Sequence, residues 1–130
     1  MSGHILVVED DFDISNMLRI YFSGQGYDVQ VAPRGGDALS YTRKQLPHLI
    51  VLDIMLPGLD GLAVCRLVRK DPDIAHIPII ILTTTDDIHE INRCYELGCN
   101  VYITKPVDLD RDIPIFAKYL RRERRTPVLQ

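Results

Sequence analysis

Four short, largely apolar runs punctuate the chain, and each ends on polar side chains. Ile5-Leu6-Val7-Val8 leads into Glu9-Asp10-Asp11, Leu49-Ile50-Val51-Leu52 into Asp53, Ile79-Ile80-Ile81-Leu82 into Thr83, and Val101-Tyr102-Ile103-Thr104 into Lys105. Apolar runs this short predict strands buried in a sheet. Tyr27-Asp28-Val29-Gln30-Val31 alternates apolar and polar residues instead, which predicts a strand near a sheet edge.

Helical spacing fills the intervals. Ile14, Met17, Leu18, Tyr21 and Phe22 form a first stripe that ends at Gly24 and Gly26. A second helix is expected to follow Pro33 and run to about Gln45, with little apolar stripe. Val64, Leu67 and Val68 mark a third that stops before Pro72, and Ile88, Ile91, Cys94 and Tyr95 a fourth that stops at Gly98. A fifth occupies part of 108–123, with Ile113, Phe116 and Leu120 inward. Pro114 would remove an interior hydrogen bond from a helix starting near Asp108, so the expectation is a late start capped by Asp112, or a kink. Strand and helix alternate throughout, which implies an α/β fold with a parallel sheet, right-handed crossovers and helices on both faces.

Composition narrows the class. A chain of 130 residues, 46% hydrophobic and 25% charged, suits one soluble domain with a real core. The net charge of −3 argues against bulk binding to nucleic acid or anionic membrane, and no apolar run is long enough to span a bilayer. Met1-Ser2-Gly3-His4 has neither the basic region nor the cleavage site of a secretory signal. Cys65, Cys94 and Cys99 are odd in number and lack CxxC spacing; they read as small core residues of a reduced, cytoplasmic protein. His4, His48, His76 and His89 show no metal-ligand spacing. Arg121-Arg122-Glu123-Arg124-Arg125 fits cations at a helix C-terminus better than a nucleic-acid contact.

The chemistry gathers at the strand ends. In open α/β sheets the functional crevice lies outside the carboxyl ends of the strands. Glu9, Asp10, Asp11, Asp53, Thr83 and Lys105 would therefore meet at one edge, a set suited to a divalent cation and a phosphoryl group.

Val8-Glu9-Asp10-Asp11, Leu52-Asp53-Ile54-Met55-Leu56-Pro57-Gly58-Leu59-Asp60-Gly61, Ile81-Leu82-Thr83 and Tyr102-Ile103-Thr104-Lys105-Pro106, in this order, resemble the receiver domain of two-component response regulators. The resemblance runs from His4 to about Leu120, with residues 1–123 as the domain and 124–130 as a short tail. It implies a flavodoxin-like, doubly wound, five-stranded parallel sheet in the order 2-1-3-4-5 with five helices. It also implies that Asp53 accepts a phosphoryl group from the phosphohistidine of a sensor histidine kinase or phosphotransfer protein. Glu9 and Asp10 look like the acidic pair holding Mg²⁺, with Asp11 pointing elsewhere and Asp53 and the Met55 backbone carbonyl as further ligands. Sliding the alignment by one residue would make the pair Asp10 and Asp11, and Asp10 survives either choice. Lys105 resembles the lysine that pairs with the phosphoryl oxygens, Thr83 the hydroxyl that moves inward to bond them, and Tyr102 the aromatic switch that follows. The Lys105-Pro106 bond is expected to be cis, as in the family.

Two departures stand out. Thr84 follows Thr83 where the family usually has a small residue. Asn100-Val101 occupies the place of an acidic pair in the winged-helix branch, so with Pro114 that branch's mode of dimerisation is not expected, and the chain reads as a monomer or weak dimer. The implied output is a downstream protein bound around the fourth helix. The segment from Cys94 to Asp108 further resembles small regulators paired with bacterial photoreceptor-type kinases.

Other functions fit less well. A phosphatase of the haloacid dehalogenase type needs a second Asp two residues after its nucleophile as general acid, and Met55 stands there. A flavin- or nucleotide-binding domain would need a Gly-rich turn after the first strand. A receiver-like module that binds without phosphorylation would have no use for the full set Glu9, Asp10, Asp53, Thr83 and Lys105.

Overall fold

A computed structural model of the chain describes residues 3–124, with side chains as far as Leu120. The strands are β1 (His4–Val8), β2 (Asp28–Ala32), β3 (Leu49–Asp53), β4 (Ile79–Thr83) and β5 (Val101–Thr104). They alternate with α1 (Phe12–Gly24), α2 (Gly35–Lys44), α3 (Gly61–Lys70), α4 (Ile88–Glu96) and α5 (Leu109–Arg124). All pairings are parallel and the order is β2-β1-β3-β4-β5, as the resemblance implies. Met1, Ser2 and residues 125–130 of the expected 124–130 tail lie outside the described residues, as do the side chains of the basic run from Arg121.

The period-two geometry of each central strand sends alternate side chains to opposite faces. Leu6, Val8, Ile50, Leu52, Ile79 and Ile81 pack with Ala38, Val64, Val68 and Cys94 on the α2, α3 and α4 side. Ile5, Val7, Leu49, Val51, Ile80 and Leu82 pack with Leu18, Phe22, Phe116 and Leu120 on the α1 and α5 side. Phe22 and Phe116 join α1 to α5 with ring centroids 5.2 Å apart in a T-shaped contact. Cys65, Cys94 and Cys99 are free, buried thiols, as expected of core residues.

Two expected details change. Leu67, Ile88 and Tyr95 belong to the predicted stripes but lie on the exposed sides of their helices, so α3 and α4 each bury a narrower face. The fifth helix does not start late. Asp108 accepts from the Asp110 N–H at 3.0 Å, while the Asp112 carboxylate turns back to the Asp108 N–H at 3.0 Å, and this reciprocal cap starts α5 at Leu109. Pro114 consequently sits inside the helix. Both it and Asp110, whose carbonyl loses a donor, are exposed. Asn100 ties the start of β5 to the start of β4, because its Oδ1 accepts from the Ile79 N–H at 2.7 Å and from Arg69 at 2.9 Å.

Two glycines set how closely the loops pass. A Cβ on Gly61 would press against the Asp53 carbonyl oxygen, and one on Gly35 against that of Leu59. Gly61→Ala is expected to lower stability by about 1–3 kcal/mol, as overpacking does, read as a lower urea-unfolding midpoint. Burial pushes the Cys65 thiol up to about 11 and that of Cys99 up to about 12, and raises Cys94 in the same direction. Because the thiolate is the nucleophile, iodoacetamide at about pH 8, near the free-thiol pKa, should leave all three unlabelled in the native protein and label them after denaturation, as intact mass would report.

Candidate functional site

The carboxyl edge of the sheet collects the acids because three strands end there in register. Val8 pairs with Leu52, and Asp53 with Leu82. The Ile54 N–H then bonds the Leu82 carbonyl at 3.0 Å, and the Glu9 N–H bonds that of Ala32 at 3.0 Å, so the backbone is held at Glu9 and just past Asp53. Asp53 and Glu9 are only 2% and 1% exposed, whereas Asp10 is open to solvent.

Each predicted residue has a definite position. Carboxylate oxygens of Glu9, Asp10 and Asp53 lie within 4.8 Å of one another. Asp11 faces away and caps α1, accepting from the N–H groups of Asp13 at 2.9 Å and Ile14 at 3.2 Å. The Met55 N–H donates to Asp53 Oδ1 at 3.1 Å, while the Met55 side chain is 69% exposed. Lys105 reaches in from the end of β5, its Nζ 2.9 Å from Glu9 Oε1 and 3.2 Å from Asp53 Oδ1. The Lys105-Pro106 bond is cis.

Thr83 and Tyr102, the residues expected to switch, make local contacts. Thr83 is buried, and its hydroxyl oxygen accepts from the Thr85 N–H at 3.1 Å; among the described residues no hydrogen bond joins it to Asp53. Tyr102 is half-buried, with its ring edge-on to Tyr95 at 6.0 Å between centroids.

Burial and charge set the electrostatics of the cluster. Burial pushes the Glu9 carboxyl up to about 7, opposed by the Lys105 ammonium and the Asp11 N–H. Burial also works against the charge on Lys105, but Glu9 and Asp53 outweigh it and hold its pKa above the ordinary lysine value. Glu9 Oε1 is buried and has the Lys105 ammonium as its ion-pair partner at 2.9 Å. Three carboxylates thus face one ammonium. Hard oxygen donors and an excess of negative charge fit a small divalent cation such as Mg²⁺, which takes few carboxylates and keeps its waters.

Sequence reasoning did not single out Arg111. Its guanidinium leaves the first turn of α5 and donates to the carbonyls of Thr104 at 2.9 Å and Pro106 at 3.3 Å, on either side of Lys105. Nothing in the linear pattern marks it, because an arginine in the first turn of a helix looks like any surface cation.

Comparison with known proteins agrees with this arrangement. Residues 5–113 match the family model of the response regulator receiver domain. The chain is 36% identical over 118 residues to the response regulator PleD of Caulobacter vibrioides, covering 91% of this chain and 25% of PleD. It is 41% identical over 106 residues to the DNA-binding response regulator MtrA of Mycobacterium tuberculosis, covering 82% of this chain and 45% of MtrA. It therefore spans less than half the length of either relative. The BeF3-activated N-terminal receiver domain of Klebsiella pneumoniae RstA superposes with a TM-score of 0.83 at 33% identity, covering 92% of this chain and 99% of that one. No helix among the described residues is long and apolar enough to cross a membrane. With its strand order, its acidic edge and its match across most of the sequence, this chain belongs to the receiver domain family of two-component response regulators.

Proposed function

We propose that the chain is a phosphoryl acceptor in a two-component relay, with Asp53 as the residue modified. The observation that carries this reading is the buried Asp53 carboxylate with Lys105 Nζ at 3.2 Å and the acids Glu9 and Asp10 beside it. An Asp53 carboxylate oxygen attacks the phosphorus of a phosphohistidine on a sensor kinase or phosphotransfer protein. The new O–P bond forms as the P–N bond breaks, and the imidazole leaves with the electron pair and takes up a proton. The Met55 N–H bond to Oδ1 holds the carboxylate in one orientation for in-line approach. Lys105 meets the charge that develops on the phosphoryl oxygens. Glu9, Asp10, Asp53 and the Met55 carbonyl would hold Mg²⁺, which when bound neutralises the acids and the transferring group.

An acyl phosphate carries a charge of about −1.5 to −2 beside Thr83, where the free Asp53 carboxylate carried about −1. In this reading the Thr83 hydroxyl gives up its local turn to bond the phosphoryl group, and Tyr102 follows it. The signal leaves through a downstream protein bound at α4, where Ile88 (59% exposed) and Tyr95 (43% exposed) offer apolar surface.

Incubation with a small acyl phosphate and Mg²⁺ is expected to add one phosphoryl group, read by intact mass. Asp53→Asn should abolish the gain, as should a chelator. Lys105→Ala should slow it by about 10²–10³-fold, the usual effect of removing a donor to a developing oxyanion. Wild type that stays unmodified with every donor and metal would exclude this function and favour binding without phosphorylation.

A further inference from the structure

Lysine is a poor choice for precise positioning unless its backbone is held, because four rotatable bonds separate Nζ from Cα. In this chain the backbone around Lys105 is held from two sides. The Lys105 N–H donates to the Thr83 carbonyl at 2.7 Å and so faces β4. Neighbouring residues of a strand point their polar groups in opposite directions. The Thr104 carbonyl therefore faces the open edge of the sheet, where β5 has no further strand. Arg111 Nη2 takes the place of that missing neighbour at 2.9 Å, and also reaches the Pro106 carbonyl at 3.3 Å.

Arg111 is itself held. Its Nε and Nη2 donate to Asp112 Oδ1 at 2.7 Å and Oδ2 at 2.9 Å, a fork-to-fork pair. The Asp112 side chain is 1% exposed although that of Arg111 is 49% exposed, and Asp112 Oδ2 also accepts from the Asp108 N–H at 3.0 Å. A buried carboxylate in the first turn of α5 thus aims a surface guanidinium at the two carbonyls flanking the lysine. We propose that Arg111 and Asp112 are positioning residues for Lys105, holding its backbone so that the ammonium meets Glu9 and Asp53. The proposal rests on the phosphoryl-acceptor reading, in which Lys105 acts on the transferring group.

Two readouts test it in the full chain, using acetyl phosphate as the probe. Arg111→Ala is expected to slow phosphorylation about 10-fold at saturating Mg²⁺, in line with the cost of small misplacements at a reacting centre. In a Lys105→Ala background the same change should have no further effect, since groups acting through one another are not additive. The second readout does not need phosphorylation. In lysine-labelled protein, the ε-methylene signals of Lys105, assigned with Lys105→Arg, should move to the free-lysine position in Arg111→Ala. Asp112→Leu, which releases Arg111 without leaving a buried charge unpaired, should act in the same direction, whereas Arg111→Lys should not restore the wild type. Wild-type rates and Lys105 signals in Arg111→Ala and Asp112→Leu, or an Arg111→Ala loss that persists undiminished without Lys105, would overturn the proposal. If wild type takes up no phosphoryl group, the functional reading fails, and the Lys105 signals alone decide the clamp.

Discussion

The contact of one ammonium with two buried carboxylates governs the functional end of this molecule. Glu9 and Asp53 are out of water, where an unpaired charge is costly, and the attraction of Lys105 at 2.9 and 3.2 Å offsets part of that cost. It does not offset all of it, because a third carboxylate, Asp10, stands within 4.8 Å of the others. The edge is therefore built with surplus negative charge and pre-aimed donors. That is the condition under which a cation and a phosphoryl group become favourable additions rather than intrusions.

Everything around the contact keeps its parts in register. Parallel pairing brings the ends of β1 and β3 level, so that Glu9 and Asp53, far apart in the chain, come to share one ammonium. Gly61 lets α3 begin against the Asp53 carbonyl, which keeps the loop after the acid short and close. The two layers of helices seal both faces of the sheet, leaving its carboxyl edge as the place where polar groups remain available.

The edge strand β5 shows how side chains stand in for missing backbone partners. At its start, Asn100 and Arg69 bind the polar groups around Ile77 and Ile79. At its end, Arg111 binds the outward carbonyl of Thr104. Both ends of the strand that carries Tyr102 and leads to Lys105 are thereby tied to neighbouring elements by charged or amide groups. An unsupported edge would be the most mobile part of the sheet.

What can be read from the linear order is whatever depends on short-range periodicity. Apolar runs mark the strands, helical stripes mark most of the helices, and the polar residue at each strand end marks the site. The reason is that a strand buried on both faces needs an unbroken apolar run, which must stop where the chain meets water. Fine placement is not legible in this way. Leu67, Ile88 and Tyr95 fit a helical period yet lie outside, because which arc of a helix is covered depends on neighbours far away in sequence. Helix α5 starts earlier than the linear pattern predicts, since Pro114 signals a break locally while the cap between Asp108 and Asp112 outweighs it. Asp11 looks like its neighbours in the acidic triplet, and only the turn into α1 directs it to a cap. Fold class and the set of residues meeting at the sheet edge thus follow from linear order, since both depend on where apolar runs end. That one ammonium bridges Glu9 and Asp53 and that Arg111 grips the backbone beside Lys105 emerge only on folding, because these depend on directions in space that no spacing along the chain encodes.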